Sequence, residues 1–92
     1  VGIWAFSNCF GLESVNFLNT RLSYLGDYCF DGCESLTTVY LPTTLSELGE
    51  YCFQNTAVTD IYYTGTQAQW EQVTIGMDAL PSGVTMHYNY TA

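Results

Sequence analysis

The amino-acid sequence predicts a repeat solenoid that is mainly β-structure with short helical turns, wound as a right-handed coil of about 23–24 residues per repeat. A six-residue phrase recurs with an apolar residue, a glycine, an aromatic residue, a small residue and a phenylalanine in fixed order; its copies are 1–6, 25–30 and 48–53. A second phrase, with apolar residues at its first, fourth and sixth positions, follows each copy; it occupies 12–17, 36–41 and 58–63. A period of about 20–29 residues carrying this second phrase is typical of leucine-rich repeats.

The second phrase predicts a short strand in each coil. In the middle copy, Val39 and Leu41 alternate with Thr38 and Tyr40, so we expect the first pair to point inward and the second pair outward. Pro42 should end this strand, because proline cannot donate a backbone hydrogen bond to a neighbouring strand.

The rest of the coil supplies further core residues. We expect Leu45 and Leu48 to form a second apolar line, and Gly26 and Gly49 to permit a bend that a side chain would obstruct. The phenylalanines of the repeated phrase should then follow on helical turns and form one buried column; they are Phe6, Phe30 and Phe53.

The pattern changes after Tyr63, which predicts a different structure for residues 64–92. Thr66 and Gln69 have the spacing of a helix capping box. An apolar stripe on the short helix should then comprise Trp70, Val73 and Met77. Apolar and polar residues alternate through 84–90, which predicts a half-buried final strand with His87 on its polar face.

These observations predict one domain, residues 1–92, composed of two and a half repeats (1–63) and a C-terminal cap (64–92). The chain begins at the position of Leu25 and Leu48, with no polar cap before it, whereas natural arrays end in polar caps. We therefore expect it to be a fragment of a longer array, packed against upstream repeats of the same chain.

The charge distribution excludes several partners. The chain has nine acidic residues, one arginine and no lysine, with a formal net charge of −8. Nucleic acids and anionic lipid headgroups are therefore not expected partners, because both are bound through clustered Lys and Arg. The sequence has no apolar run of about 18 residues, so direct membrane insertion is not expected.

The repeated phrases resemble those of a known family. The coil that runs from Leu25-Gly26-Asp27-Tyr28-Cys29-Phe30 to Cys33, and the terminal segments 61–70 and 86–89, resemble the BspA-like leucine-rich repeats of bacterial and protozoan surface proteins. Two features depart from the family pattern: cysteine replaces alanine at Cys29 and Cys52, and Phe17-Leu18 stands where proline is usual. The resemblance implies a cell-surface or secreted location, and binding to a host protein or a carbohydrate. It supplies no catalytic residue.

The cysteines align between coils, Cys9 with Cys33 and Cys29 with Cys52. Coils about 5 Å apart would bring either pair near disulfide distance. The alternative is that the thiols are buried and free, acting as small hydrophobic residues. A zinc site is disfavoured, because the spacing between Cys29 and Cys33 is not that of a CxxC motif.

The candidate binding residues are the outward positions of the strands: Asn16, Thr38, Tyr40, Asp60 and Tyr62. Outward aromatic rings can form a platform for sugars or for partner side chains. The alternative is packing between neighbouring strands.

The sequence therefore predicts a non-catalytic binding or adhesion module that presents its strand face to a protein or glycan, with no cofactor and no metal. Two alternatives stay open: a purely structural cap or spacer, or an accessory targeting module of a secreted hydrolase. No enzymatic activity is expected, because no nucleophile, base and orienting acid share a motif.

Overall fold

The computed structural model of the protein describes residues 2–91, in which the chain winds through a β-solenoid of about three turns. Its elements, in chain order, are β1 (Ser14–Asn16), β2 (Tyr24–Leu25), β3 (Thr38–Leu41), β4 (Glu47–Leu48), β5 (Asp60–Tyr63), α1 (Gln67–Trp70), β6 (Thr74–Ile75) and β7 (Thr85–His87). Val1, where the first repeated phrase begins, and Ala92, where the predicted cap ends, lie outside the described residues. We refer to 2–24, 25–47 and 48–74 as the first, second and third coils, and to 75–91 as the partial fourth coil.

Two parallel sheets form the walls of the solenoid. The larger sheet has the strand order β1-β3-β5-β7, and the smaller one the order β2-β4-β6. Equivalent positions of successive coils pair in register, as Val15, Val39 and Ile61 do in the larger sheet. Each coil therefore adds one strand to each sheet, as a solenoid requires.

The predicted alternation of the second phrase is confirmed in β3. Val39 and Leu41 have no exposed surface, whereas Thr38 and Tyr40 are half-buried on the outer face. The strand ends at Leu41, directly before Pro42, as predicted.

The smaller sheet was not predicted from the sequence. Its strands are only two residues long, too short to show a period of two. Leu45 and Leu48 are buried, as the sequence predicts, and Leu48 lies on β4, where it pairs with Leu25 and Ile75. Of the two residues in the second apolar line, Leu48 therefore belongs to a strand, and Leu45 lies in the turn before it.

The phenylalanine column is confirmed, with one correction. Phe6 and Phe30 stack with ring centroids 5.1 Å apart, as do Phe30 and Phe53. The prediction that all three are buried was wrong for Phe6, which is 37% exposed because nothing described packs on its outer side. The turns beside the column are single turns, closed by hydrogen bonds such as that from Cys29 N–H to the Gly26 carbonyl, and they do not continue as a helix.

The glycines of the repeated phrase have a different role from the predicted bend. Neither Gly26 nor Gly49 has a positive φ angle. A Cβ atom added at Gly49 would lie 2.4 Å from the Asp27 nitrogen, and one at Gly26 would lie 2.7 Å from the Gly2 carbonyl carbon. Glycine is therefore needed because adjacent coils approach each other closely at this position.

The predicted capping box is present at the start of α1. The Thr66 hydroxyl accepts a hydrogen bond from the Gln69 N–H (3.1 Å), and the Gln69 side-chain oxygen accepts one from the Thr66 N–H (2.8 Å). Trp70 and Val73 are buried as predicted, but Met77 is 62% exposed. The prediction for Met77 was wrong because α1 ends at Trp70, so the helical spacing does not extend to residue 77.

The segment after α1 forms a degenerate copy of the repeated phrase, which was not predicted from the sequence. Residues 75–80 stack on 48–53: the Tyr51 N–H donates to the Met77 carbonyl, and the Phe53 N–H donates to the Ala79 carbonyl. The final strand is shorter than the predicted 84–90, since β7 contains only Thr85–His87. His87 is nevertheless on the outer face, as predicted, and pairs with Tyr62.

Candidate binding face of the larger sheet

The outer face of the larger sheet carries two rows of side chains, each running across all four strands. The central row comprises Asn16, Tyr40, Tyr62 and His87, and the lateral row comprises Ser14, Thr38, Asp60 and Thr85. These rows contain all five candidate binding residues, so the structure places Asn16, Thr38, Tyr40, Asp60 and Tyr62 on one continuous surface. We call this surface the outer face.

The rings of the central row stack on one another. The Tyr40 and Tyr62 centroids are 5.0 Å apart with planes at 17°, and those of Tyr62 and His87 are 4.4 Å apart at 11°. Both faces of the Tyr62 ring are thus covered by neighbours, and only one face of Tyr40 is covered in this way. The row consequently presents ring edges and hydroxyl groups, and the second face of Tyr40 is on the side of Asn16, its neighbour on β1.

Tyr90 adds a further ring to this stack. Its centroid lies 5.4 Å from that of Tyr40 and 5.1 Å from that of Tyr62, with ring planes tilted by 50° and 59°. Its N–H donates to the Tyr63 carbonyl, which fixes the chain after β7 beside the sheet. The sequence does not predict this contact, because the alternation through 84–90 places Tyr90 on the strand itself.

Asp60 and His87 form a polar pair at one end of the outer face. His87 Nε2 lies 2.9 Å from Asp60 Oδ1, and the Thr59 hydroxyl donates to Asp60 Oδ2 at 2.8 Å. The pKa of the Asp60 carboxyl is held below its usual value, mainly by the hydrogen bond with His87 and, to a smaller extent, by the one from Thr59. His87 was not among the predicted binding residues, although its polar position on the last strand was the signal that could have placed it here.

A second aromatic column lies on another side of the coil. Trp4 and Tyr28 stack with centroids 4.5 Å apart, and Tyr28 and Tyr51 at 5.2 Å. All three have φ angles between 56° and 62°, a left-handed conformation that large side chains rarely adopt. Their recurrence at one position of the repeated phrase shows that coil stacking imposes this backbone, and ring stacking offsets part of its cost.

The four cysteines are free thiols. Cys29, Cys33 and Cys52 have no exposed surface, while Cys9 is partly buried. The pKa of Cys52 is raised mainly by its hydrogen bond with Cys29 and, to a smaller extent, by burial. Burial also raises the pKa of Cys33. Both thiols therefore stay protonated and act as small core residues, one of the two alternatives that the sequence left open.

Within residues 2–91, no group of three or more His, Cys, Asp or Glu side chains is placed to hold a metal ion. In the same part of the chain, no helix has the length and hydrophobicity needed to span a bilayer.

Comparison with known proteins agrees with this architecture. The model of the BspA type leucine-rich repeat region matches residues 1–75 in six copies. The chain belongs to this family. No curated protein and no solved structure matches it. Leucine-rich repeats are generally non-catalytic and mediate protein interactions, and the BspA-type family is typically extracellular or surface-associated.

Proposed function

We propose that this chain is a non-catalytic binding module that recognises a partner protein through its outer face. The observation that carries this proposal is the central row, in which side chains of the same register continue without interruption from β1 to β7. A contact surface built on parallel strands is rigid, so little conformational entropy is lost when a partner binds.

The chemistry of the outer face favours a protein over a glycan among the two predicted partners. On the outer face a sugar ring would have to stack on an aromatic ring, but the faces of Tyr62 are covered by Tyr40 and His87. Tyrosine hydroxyls, the exposed Asn16 and the Asp60 carboxylate offer hydrogen bonds instead. With a formal charge of −8, the module favours a neutral or basic segment of its partner.

We place this activity at a cell surface or in the secreted fraction, where the module would act in adhesion. The support is the family, which is typically extracellular or surface-associated. An accessory role beside a secreted hydrolase would use the same outer face, and the neighbouring domains of the full protein would distinguish the two.

The test removes hydroxyl groups without removing the ring stack. We expect the double variant Tyr40→Phe/Tyr62→Phe to lose binding to its partner on a protein array, with an unchanged melting temperature. The matched control is Tyr24→Phe, which removes a hydroxyl from an exposed tyrosine on the smaller sheet and should leave binding intact. Retained binding in the double variant, or equal loss in the control, would contradict the proposal.

A purely structural role is the second candidate, and the ring stack itself favours it. Stacking between adjacent strands stabilises the sheet whether or not a partner binds. In that case, Tyr62→Ala would lower the melting temperature, and no array ligand would depend on the hydroxyl groups of Tyr40 and Tyr62.

A further inference from the structure

A cleft on the flank of the solenoid lies apart from the outer face. Its volume is about 310 Å³, near the lower limit of the range that is typical of small-molecule sites. One wall is the corner between β3 and β4 (residues 43–46), and the other comprises Gln69, Gln72 and Val73 from α1 and the turn after it. Tyr63 lies between the two walls.

The cleft exists because the third coil is longer than the second at this corner. Tyr63 pairs with Leu41, and Thr74 pairs with Glu47. Glu47 follows Leu41 by six residues, whereas Thr74 follows Tyr63 by eleven. The extra residues form α1, which cannot follow the tight corner below it and so leaves a gap.

The walls carry hydrogen-bonding groups that the fold does not use. Within residues 2–91, the side chains of Thr43 and Gln72 make no hydrogen bond with another group. The Gln69 oxygen accepts from the Thr66 N–H, which leaves the two amide hydrogens of Gln69 unused there. The Ser46 hydroxyl donates to the Ser23 carbonyl and keeps its capacity to accept.

The base of the cleft is largely apolar, with one hydroxyl. Leu45, Tyr63 and Val73 are buried, and the Tyr63 ring packs edge-on against Trp70 at 5.1 Å. In the described part of the chain, every fully buried side-chain oxygen has a partner. Since the Tyr63 hydroxyl makes no hydrogen bond there, its oxygen is not fully buried.

The lining contains no charged side chain, although the protein carries nine acidic residues. Glu47 and Glu71 are the sequence neighbours of Ser46 and Gln72, and both are exposed. An anionic ligand would be repelled by these carboxylates, while a cation would find no ligand carboxylate in the cleft itself. The site therefore suits a neutral molecule that both donates and accepts hydrogen bonds.

We propose that this cleft binds a neutral, hydroxyl-bearing ligand, a small saccharide or the end of a glycan chain. Hydroxyl groups would bond to Thr43, Gln69 and Gln72, and the small accessible part of Val73 would contact the C–H surface of the sugar. The site is separate from the outer face, so it does not depend on the proposed binding of a partner protein.

The test is a titration followed by amide NMR of the full chain. The probes are glucose, galactose, mannose and N-acetylglucosamine, each raised to about 10 mM, which detects a site with a Kd near 1 mM. We expect saturable shifts at 43–46, 63 and 69–73 with at least one of these sugars, and none with glucuronic acid.

Two variants and one control locate the site. Gln72→Ala and Thr43→Val should each weaken the affinity by about three- to tenfold, since each removes one hydrogen bond. Gln54→Ala changes an exposed glutamine outside the cleft and should have no effect. The proposal is overturned if none of the four sugars gives saturable shifts, if the shifts fall on Asn16, Tyr40 and Tyr62 instead, or if the control weakens binding equally.

Discussion

The first coil and the partial fourth coil carry the same phrase, but they meet their surroundings differently. Within residues 2–10 of the first coil, every large apolar side chain has more than a third of its surface exposed; these residues are Ile3 (62%), Trp4 (49%), Phe6 (37%) and Phe10 (58%). In the second and third coils, Phe30 and Phe53 occupy the position of Phe6 and are almost fully buried. The burial of these apolar residues therefore depends on contact with the neighbouring coils.

The fourth copy lacks the aromatic residues of the other three copies at two positions. Asp78 takes the position of Trp4, Tyr28 and Tyr51, and keeps their left-handed backbone with φ 50°. Aspartate adopts this conformation more readily than an aromatic residue, and it needs no ring stacked on its far side. Leu80 likewise replaces the phenylalanine of the column. The fourth copy therefore exposes no aromatic ring at these two positions, although Ile75 (41%) and Met77 (62%) are exposed there.

The largest expected effect comes from the phenylalanine column. Phe30→Ala should destabilise the protein by about 3–5 kcal/mol, because it removes a ring that is packed on both sides. Phe6→Ala should cost about 1–2 kcal/mol, since one side of its ring has no described neighbour. Urea denaturation monitored by circular dichroism measures both values.

If Phe30→Ala does not fold, Phe30→Leu provides the same comparison at lower cost. Equal destabilisation by matched changes at Phe6 and Phe30 would refute the view that neighbouring coils share their core.

A smaller effect is expected at the left-handed position. Tyr28→Gly should be more stable than Tyr28→Ala by about 1 kcal/mol, because glycine tolerates a positive φ and alanine does not. The same comparison at Asp78 should have the same sign. Thermal unfolding of the paired variants gives the difference.

Glu50 supplies the control, because it is exposed, adjacent to Tyr51 and has no positive φ. There, alanine should be the more stable substitution. A preference for alanine at Tyr28 would mean that the backbone relaxes when the aromatic column is removed.

The smallest effect concerns pH and the pair of Asp60 and His87. The folded protein lowers the pKa of Asp60, so the pair stabilises the fold above the ordinary carboxyl pKa of 3.8 and loses this contribution as pH falls through the lowered value. The stability difference between the natural protein and Asp60→Asn should therefore shrink between about pH 5 and pH 3. Both side chains are more than one-third exposed, so solvent screening keeps the effect small.

Thermal unfolding across this pH range measures the difference, with Glu71→Gln as the control at an exposed carboxylate. A difference between the natural protein and Asp60→Asn that stays constant from pH 5 to pH 3 would show that the pair does not contribute to folding.

The structure of the regular repeats was predictable from the sequence. The structure of the last copy was not, because its residues differ from those of the repeated phrase. Alternation in β3 and the stacking of Phe30 on Phe53 follow from identical residues at identical offsets. The copy at 75–80 was missed because Asp78 and Leu80 retain the backbone of the phrase without its aromatic side chains. The error at Met77 has the same origin, since a helical period was extended past the point where the coil resumes.

The candidate binding residues show the same division. The register of Tyr40 and Tyr62 followed from their offset, so their common surface was predictable. The ring stack was not, because side-chain angles depend on the spacing of strands and on Tyr90, which returns from a distant part of the chain. The contact between Asp60 and His87 was likewise not predictable. It depends on the length of the third coil, which differs from that of the regular repeats.

The rate at which the buried cysteines react with a thiol reagent reports local unfolding of this protein. A maleimide or similar reagent reaches Cys29, Cys33 or Cys52 only when the surrounding coils separate, and Cys9 sooner, because its side chain is partly accessible. Mass spectrometry of the labelled peptides would then order the coils by how often each comes apart.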